Sequence, residues 1–320
     1  MKGQVLALSG GVGGARMADG LQKAMPDPAL LTVCCNIGDD FDLLGLRITP
    51  DIDTVLYTLS GRADPERGWG LKGETWNFLE AMKRLGGEHW FMLGDQDLAT
   101  HVWRSDQLAR GRSLTEVTSE LGRRMGVAPR IVPVSDEPIA TIVQTPEGAL
   151  PFQHYFVREQ CRPEITGLTY QGAESARLSP AVRSALDDEG LSAIILCPSN
   201  PFLSIDPMLA IDELDKALRS RRTPAAAVCP IIGGQAVKGP LAKIMGERGH
   251  EVSALGVARL YIGLIDGLMI DVLDEALAPA IEALGMKVDV SPTLMRDDES
   301  RRALGLRALD FTSRIAAERD

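Results

Sequence analysis

The stretch QVLALSGGVGGARMADGLQKAMPDPALLTVCC, residues 4–35, decides the fold. Residues 4–9 are a short apolar run, Gly10-Gly11-Val12-Gly13-Gly14 follows at once, residues 15–25 have helical composition, and residues 30–35 are apolar again. Strand, glycine loop, helix and second strand open a parallel α/β sheet, whose strands are covered on both faces and therefore read as unbroken apolar runs. Further along, residues 90–93, 131–134, 193–197 and 225–230 repeat the pattern: an apolar run, then Gly, Pro, Ser or Asn, then a helical stretch. The expected class is α/β with a parallel sheet. Residues 129–175 break the rhythm with short β-like pieces and Pro and Gly turns, so an inserted antiparallel α+β region is expected between core parts 1–128 and 176–320. Residues 297–318 have helical spacing with mixed charge and read as a solvated, packing helix.

The 320 residues are 45% hydrophobic and 24% charged, an ordinary globular composition. A net charge of −10 excludes broad binding to nucleic acid or anionic membrane. Anionic ligands then need a local device, either backbone amides at a helix start or a cation held by carboxylates. The N-terminal run is too short for a secretory signal, no stretch is long enough to span a bilayer, and five cysteines without a C-x-x-C pair point to a cytoplasmic protein.

Gly10, Gly11, Gly13 and Gly14 let the backbone approach a phosphate, or else simply make a tight turn. The loop is neither a Walker A loop, since Ala15-Arg16-Met17 stands where Gly-Lys-Ser/Thr is needed, nor a dinucleotide fingerprint, since Arg16 replaces its third glycine. After the second strand come Asp39 and Asp40, and Asp51 and Asp53 stand at the next helix start. Carboxylates there suit Mg²⁺, which takes one or two protein oxygens and completes its shell with water and phosphate. Asp40 and Asp53 are expected to be functional, while Asp51 is expected to cap its helix. In the segment Gly94 to His101, Asp97 is expected to be an N-cap and His101 a hydrogen-bonding residue without a metal partner. Trp69, Trp76, Trp90 and Trp103 offer a stacking wall for a planar ring, with at least two of them packing helices. The loop of Ser199, Asn200 and Ser204 suits a base or ribose, and Gly233, Gly234 and Lys238 suggest a second anion site.

Together GGVGGAR at Gly10, NIGDD at Asn36, LRITPDIDTVLYTL at Leu46, GDQDLATH at Gly94, CPSNPFLSI at Cys197 and PIIGGQAVKGP at Pro230 resemble the 2-phospho-L-lactate transferase family of coenzyme F420 biosynthesis. The resemblance implies a Rossmann-like fold with helices on both faces of the sheet, and a homodimer. It implies guanosine diphosphate near the Ser199-Asn200 and Gly233-Gly234 loops and catalytic Mg²⁺ on Asp40 and Asp53. It also places the deazaflavin alcohol Fo near Trp90, Asp95, Thr100 and His101. The implied reaction moves a phosphorylated three-carbon acid from its guanosine diphosphate conjugate to the ribityl hydroxyl of Fo and releases GMP. A non-catalytic nucleotide-sugar-binding regulator of related fold is the alternative; a nicotinamide oxidoreductase is disfavoured by the missing fingerprint glycine and acid.

Overall fold

The computed structural model describes residues 3–319. Strands β1 (Gln4–Ser9) and β2 (Leu31–Cys35) pair in parallel in the register Ala7 to Val33. A short antiparallel hairpin, β3 (Phe41–Leu43) and β4 (Leu46–Ile48), follows β2. Next come β5 (Arg130–Pro133) and the antiparallel trio β6 (Ala140–Thr145), β7 (Gly148–Pro151) and β8 (Gly167–Gln171). The second half supplies β9 (Leu191–Leu196), β10 (Ala225–Val228), the small hairpin β11 (Ile231–Ile232) and β12 (Gln235–Ala236), β13 (Gly267–Ile270) and β14 (Lys287–Val290).

Seven of these form one parallel sheet in the order β14-β13-β10-β9-β1-β2-β5. The chain winds outward from β1 through β2 to β5, then returns and winds the other way from β9. The order therefore reverses between β1 and β9, and in open α/β sheets ligands bind outside the carboxyl ends of the strands at such a reversal. Burial follows the two strand types: β2 and β10 are buried at every residue, whereas β6 alternates as a half-covered antiparallel strand should.

One expected strand is absent. Residues 90–93 are irregular because their apolar side chains serve a satellite core instead: Leu93 joins Leu43 and Ile48, with Phe41, Leu46, Phe78, Trp90, Phe91 and Leu98 packed around it. The run is apolar because it packs on the β3–β4 hairpin without being a strand of the parallel sheet, and composition alone does not separate those cases.

The helices used below are α1 (Gly11–Ala24), α2 (Pro50–Leu59), α3 (Asn77–Arg84), α4 (Asp95–Ala109) and α5 (Leu114–Met125). The expected C-terminal helix spans Asp298–Ala317, with Asp297 in a capping box. It lies directly on α1: a methyl group at Gly305 would overlap the Gly20 carbonyl, and one at Gly20 would overlap the Arg301 carbonyl. In a free helix Gly→Ala gains about 1 kcal/mol. Here the obstructing atoms are backbone, so Gly305→Ala is expected to cost about 1–3 kcal/mol net by prying two helices apart. Gly246→Ala, at a helical glycine with open space around it, should stabilise instead. Urea unfolding of the two variants checks the pair.

Candidate functional site

The carboxyl ends of β1, β2, β9 and β10 carry the glycine loop, the Asn36–Asp40 turn, the Cys197–Ser204 segment and the β11–β12 hairpin. Gly10 is the N-cap of α1, and Gly11 takes a left-handed φ of +63°. Two of the orphan amides of this helix start are satisfied from within: Gly10 N–H donates to Ser199 Oγ at 3.0 Å and Gly11 N–H to Asp51 Oδ1 at 2.6 Å. Those of Val12 and Gly13 have no partner within the helix, as expected at its first turn. Side chains at Gly10, Gly13 and Gly14 would collide with Ser204, the Pro198 carbonyl and the Ser9 and Ser199 hydroxyls. The glycines thus let the β9 loop close onto the β1 loop. Ser199, Asn200 and Ser204 are consequently spent on that closure: Ser199 Oγ also donates to the Gly10 carbonyl at 2.9 Å, and Asn200 Oδ1 caps Phe202 and Leu203.

Asp51 corrects the capping expectation. The helix starts at Pro50, its N-cap is Thr49, and Asp51 points across to the glycine loop and to Asn36, whose Nδ2 donates to it at 2.9 Å. The same amide group lies 3.3 Å from Asp39 Oδ1 and 3.2 Å from the Leu203 carbonyl, while Asn36 Oδ1 accepts from Gly38 N–H. One asparagine therefore ties three segments to two buried carboxylates. Burial pushes the Asp51 carboxyl up to about 6 against the bonds from Asn36 and Gly11. It pushes Asp39 well above the usual range, helped by the charges of Asp51 and Asp40. Asp40 is raised too, chiefly by burial and despite Arg47 and Arg104 nearby, and its Oδ1 has no hydrogen-bond partner among the described residues. All three carboxyls are disfavoured as anions by burial, and one Asp40 oxygen is unpartnered, so a cation nearby would favour their charged forms.

Asp53, one helical position pair further on, sits in a different setting. It forms a buried ion pair with Arg104 of α4, through both guanidinium nitrogens Nη1 and Nη2. Arg104 Nη1 also meets His101 Nδ1 at 3.1 Å, and His101 Nε2 lies 3.2 Å from Asp97 Oδ2. Asp97 Oδ1 accepts from the Tyr57 hydroxyl at 2.5 Å. Burial opposes ionisation of Asp97, yet the bonds from His101 and Tyr57 hold its carboxyl below the usual range. The ligand atoms of Asp53, Asp97 and His101 come within 4.8 Å of one another, but the guanidinium of Arg104 already supplies the positive charge there. Thus Asp97 is not an N-cap; Gly94 holds that position. His101 does have partners, and its i,i+4 spacing from Asp97 was the available signal. Thr100 is buried beside it on the same helix.

The remaining expected residues divide. Asp95 accepts from Thr75 Oγ1, from the Asn77 amide N–H and side chain and from Phe78 N–H, which lowers its carboxyl to about 2 and fixes the start of α3. Trp90 packs into the satellite core, its ring centroid 4.9 Å from His154, 5.7 Å from Phe91 and 6.0 Å from Phe41. Gly233 and Gly234, at φ +56° and +73°, form the two-residue turn of the β11–β12 hairpin, a conformation that glycine adopts without strain. Lys238 comes to lie near Arg16 of α1.

The model of the family described as 2-phospho-L-lactate transferase CofD matches residues 5–309. The chain belongs to the 2-phospho-L-lactate transferase family. It is accordingly a transferase, of a family acting in coenzyme F420 biosynthesis. It is 36% identical over 311 residues to the 2-phospho-L-lactate transferase of Methanococcoides burtonii, covering 97% of this chain and 100% of that one. It is 38% identical over 318 residues to the phosphoenolpyruvate transferase of Kitasatospora aureofaciens, covering 98% of each. The crystal structure of protein BH3568 from Bacillus halodurans has the same fold, with a TM-score of 0.63 at 14% identity over 97% of this chain and 99% of that chain. Among the described residues no helix is long and apolar enough to cross a membrane.

Asp39 tests the electrostatic account of this transferase site. A carboxyl raised in the folded state costs no stability below about pH 4, where both states are protonated, and costs progressively more as pH rises through the folded value. In chelator-treated protein, Asp39→Asn is expected to raise the melting temperature by a few degrees at pH 8, with the gain shrinking towards zero near pH 4. Melting curves across that range check it; a gain that grows on acidification would refute the account.

Proposed function

We propose that the protein moves a phosphorylated three-carbon acid from its guanosine diphosphate conjugate to the ribityl hydroxyl of Fo, releasing GMP in a Mg²⁺-dependent reaction. Family membership supports the reaction class, and the observation that carries the site is the unpartnered Asp40 oxygen among buried acids at the sheet's reversal. In this reading Asp40, with Asp39 and Asp51 beside it, holds the metal, and Asp53 has a separate role because Arg104 is its counter-ion. Bound there, Mg²⁺ would draw charge from the pyrophosphate and the leaving group.

The chain's own residues do the positioning. Asn36 keeps Asp39 and Asp51 in fixed orientations, and Asp51 in turn clamps the first turn of α1. Arg104 holds Asp53 so that its carboxylate can accept a hydrogen bond from the attacking hydroxyl. A primary alcohol is a poor nucleophile at neutral pH, so orientation and electrostatics must supply most of the barrier reduction. The relatives carry both phospholactate and phosphoenolpyruvate names at comparable identity, so the acid is a question for assay. Incubation with Fo, Mg²⁺ and the guanylated phospholactate, phosphoenolpyruvate and phosphoglycerate in turn should give one dominant Fo phosphodiester by mass, together with GMP. No product from any of the three would reject the proposal.

A further inference from the structure

The antiparallel region β6–β8 is inserted between β5 and β9, yet it reaches back to the turn that carries Asp39 and Asp40. That turn is closed by the Asp40 N–H, which donates to the Ile37 carbonyl at 3.0 Å. The next carbonyl, of Gly38, accepts from the Thr141 N–H of β6 at 2.8 Å. The third, of Asp39, accepts from Gln153 Nε2 at 3.2 Å, and both residues are buried. All three carbonyls from Ile37 to Asp39 are therefore engaged, two of them by the insertion. The Asp39 carbonyl belongs to the planar unit that joins Asp39 to Asp40, so a donor held on it fixes the plane from which the Asp40 side chain leaves.

Gln153 is itself braced on both sides. Phe152 stacks on Phe156, their ring centroids 5.3 Å apart and their planes 20° from parallel. The His154 ring stands edge-on to Trp90 with centroids 4.9 Å apart. The insertion also approaches the turn as closely as a glycine permits: a Cβ at Gly38 would lie 2.8 Å from Thr141 Oγ1. From β8 the Tyr170 hydroxyl donates to the Phe202 carbonyl at 2.6 Å, beside the Leu203 carbonyl that accepts from Asn36. Both segments around the acid cluster are thus gripped from one side.

We propose that Gln153 is a positioning residue: reaching from the insertion, it sets the direction of Asp40 and with it the geometry in which the acid cluster receives a divalent cation. This rests on the reading of Asp40 as the residue that holds the metal, and extends that reading to the inserted region. An amide that only satisfied a buried carbonyl would cost stability when lost. One that aims a carboxylate also costs cation binding, and does so selectively. Mg²⁺ demands a near-ideal octahedron, whereas Ca²⁺ accepts an irregular shell, so a misdirected Asp40 penalises the smaller ion more.

The test is calorimetric titration of Mg²⁺ and of Ca²⁺, each with and without GDP, into chelator-treated wild-type chain, Gln153→Met and Phe156→Ala, with melting curves for all three. Gln153→Met keeps the length of the side chain and removes its donor. It should weaken Mg²⁺ about tenfold, the worth of one hydrogen bond, and Ca²⁺ by clearly less. Phe156→Ala loosens the stack beside Gln153 without touching the turn, and should lower the melting temperature while Mg²⁺ binding is kept. Wild-type Mg²⁺ affinity in a Gln153→Met protein that melts lower would reduce the amide to a support of the fold. Equal losses of Mg²⁺ and Ca²⁺, or a loss in Phe156→Ala as large as in Gln153→Met, would overturn the positioning role while the metal reading stands. Failure of the wild-type chain to bind Mg²⁺ in either condition would remove the metal reading and this proposal with it.

Discussion

Asp40→Asn is expected to lower the rate of transfer by about a thousandfold or more while leaving the fold intact. The exchange keeps size and hydrogen-bonding capacity but removes the charge from a carboxylate whose buried Oδ1 has no partner among the described residues. Removing a single preorganised group that stabilises transition-state charge commonly costs a factor of a hundred to a thousand, about 2.7–4 kcal/mol. A lost metal ligand adds weaker cation binding to that. The folded protein should not suffer, because burial and the charges of Asp53 and Asp51 already oppose ionisation of Asp40. The result to look for is a normal or raised melting temperature, a steep fall in maximal rate, and only partial recovery at high Mg²⁺. An active Asp40→Asn with a dead Asp53→Asn would exchange the roles assigned to these two acids.

The sheet was legible from residues 4–35 because β1, the glycine loop, α1 and β2 announce themselves by composition and by punctuation. Position at the carboxyl edge then followed from the parallel sheet, and with it the neighbourhood of Asp39, Asp40, Asp51 and Asp53. The partners of these residues were not legible. Nothing local in PDIDT says that Asp51 reaches Gly11, or that Asp53 turns towards a helix fifty residues away; those pairings exist only once α1, α2 and α4 have packed. The contacts of Asp95 and Trp90 were hidden for the same reason, since nothing local says that the carboxylate fastens Asn77 and Phe78 or that the indole packs into a satellite core.

Arg104 supplies the largest expected loss of stability. It is fully buried, and its guanidinium serves Asp53, His101 and the Arg47 carbonyl, so it joins α4 to α2 and to the β3–β4 hairpin. Arg104→Met preserves much of the apolar stem but strands the Asp53 carboxylate without its counter-ion. Breaking a buried pair from one side costs about 3–5 kcal/mol, because the remaining charge is left desolvated. Replacing both partners, as in Arg104→Met with Asp53→Leu, removes the stranded charge and is expected to recover most of that loss. Activity should not return with it: if Asp53 orients the attacking hydroxyl, the double variant folds and stays inactive. Denaturant unfolding and turnover measured on the single and double variants separate the two functions of the pair. Recovery of both stability and activity in the double variant would confine Asp53 and Arg104 to holding the helices together.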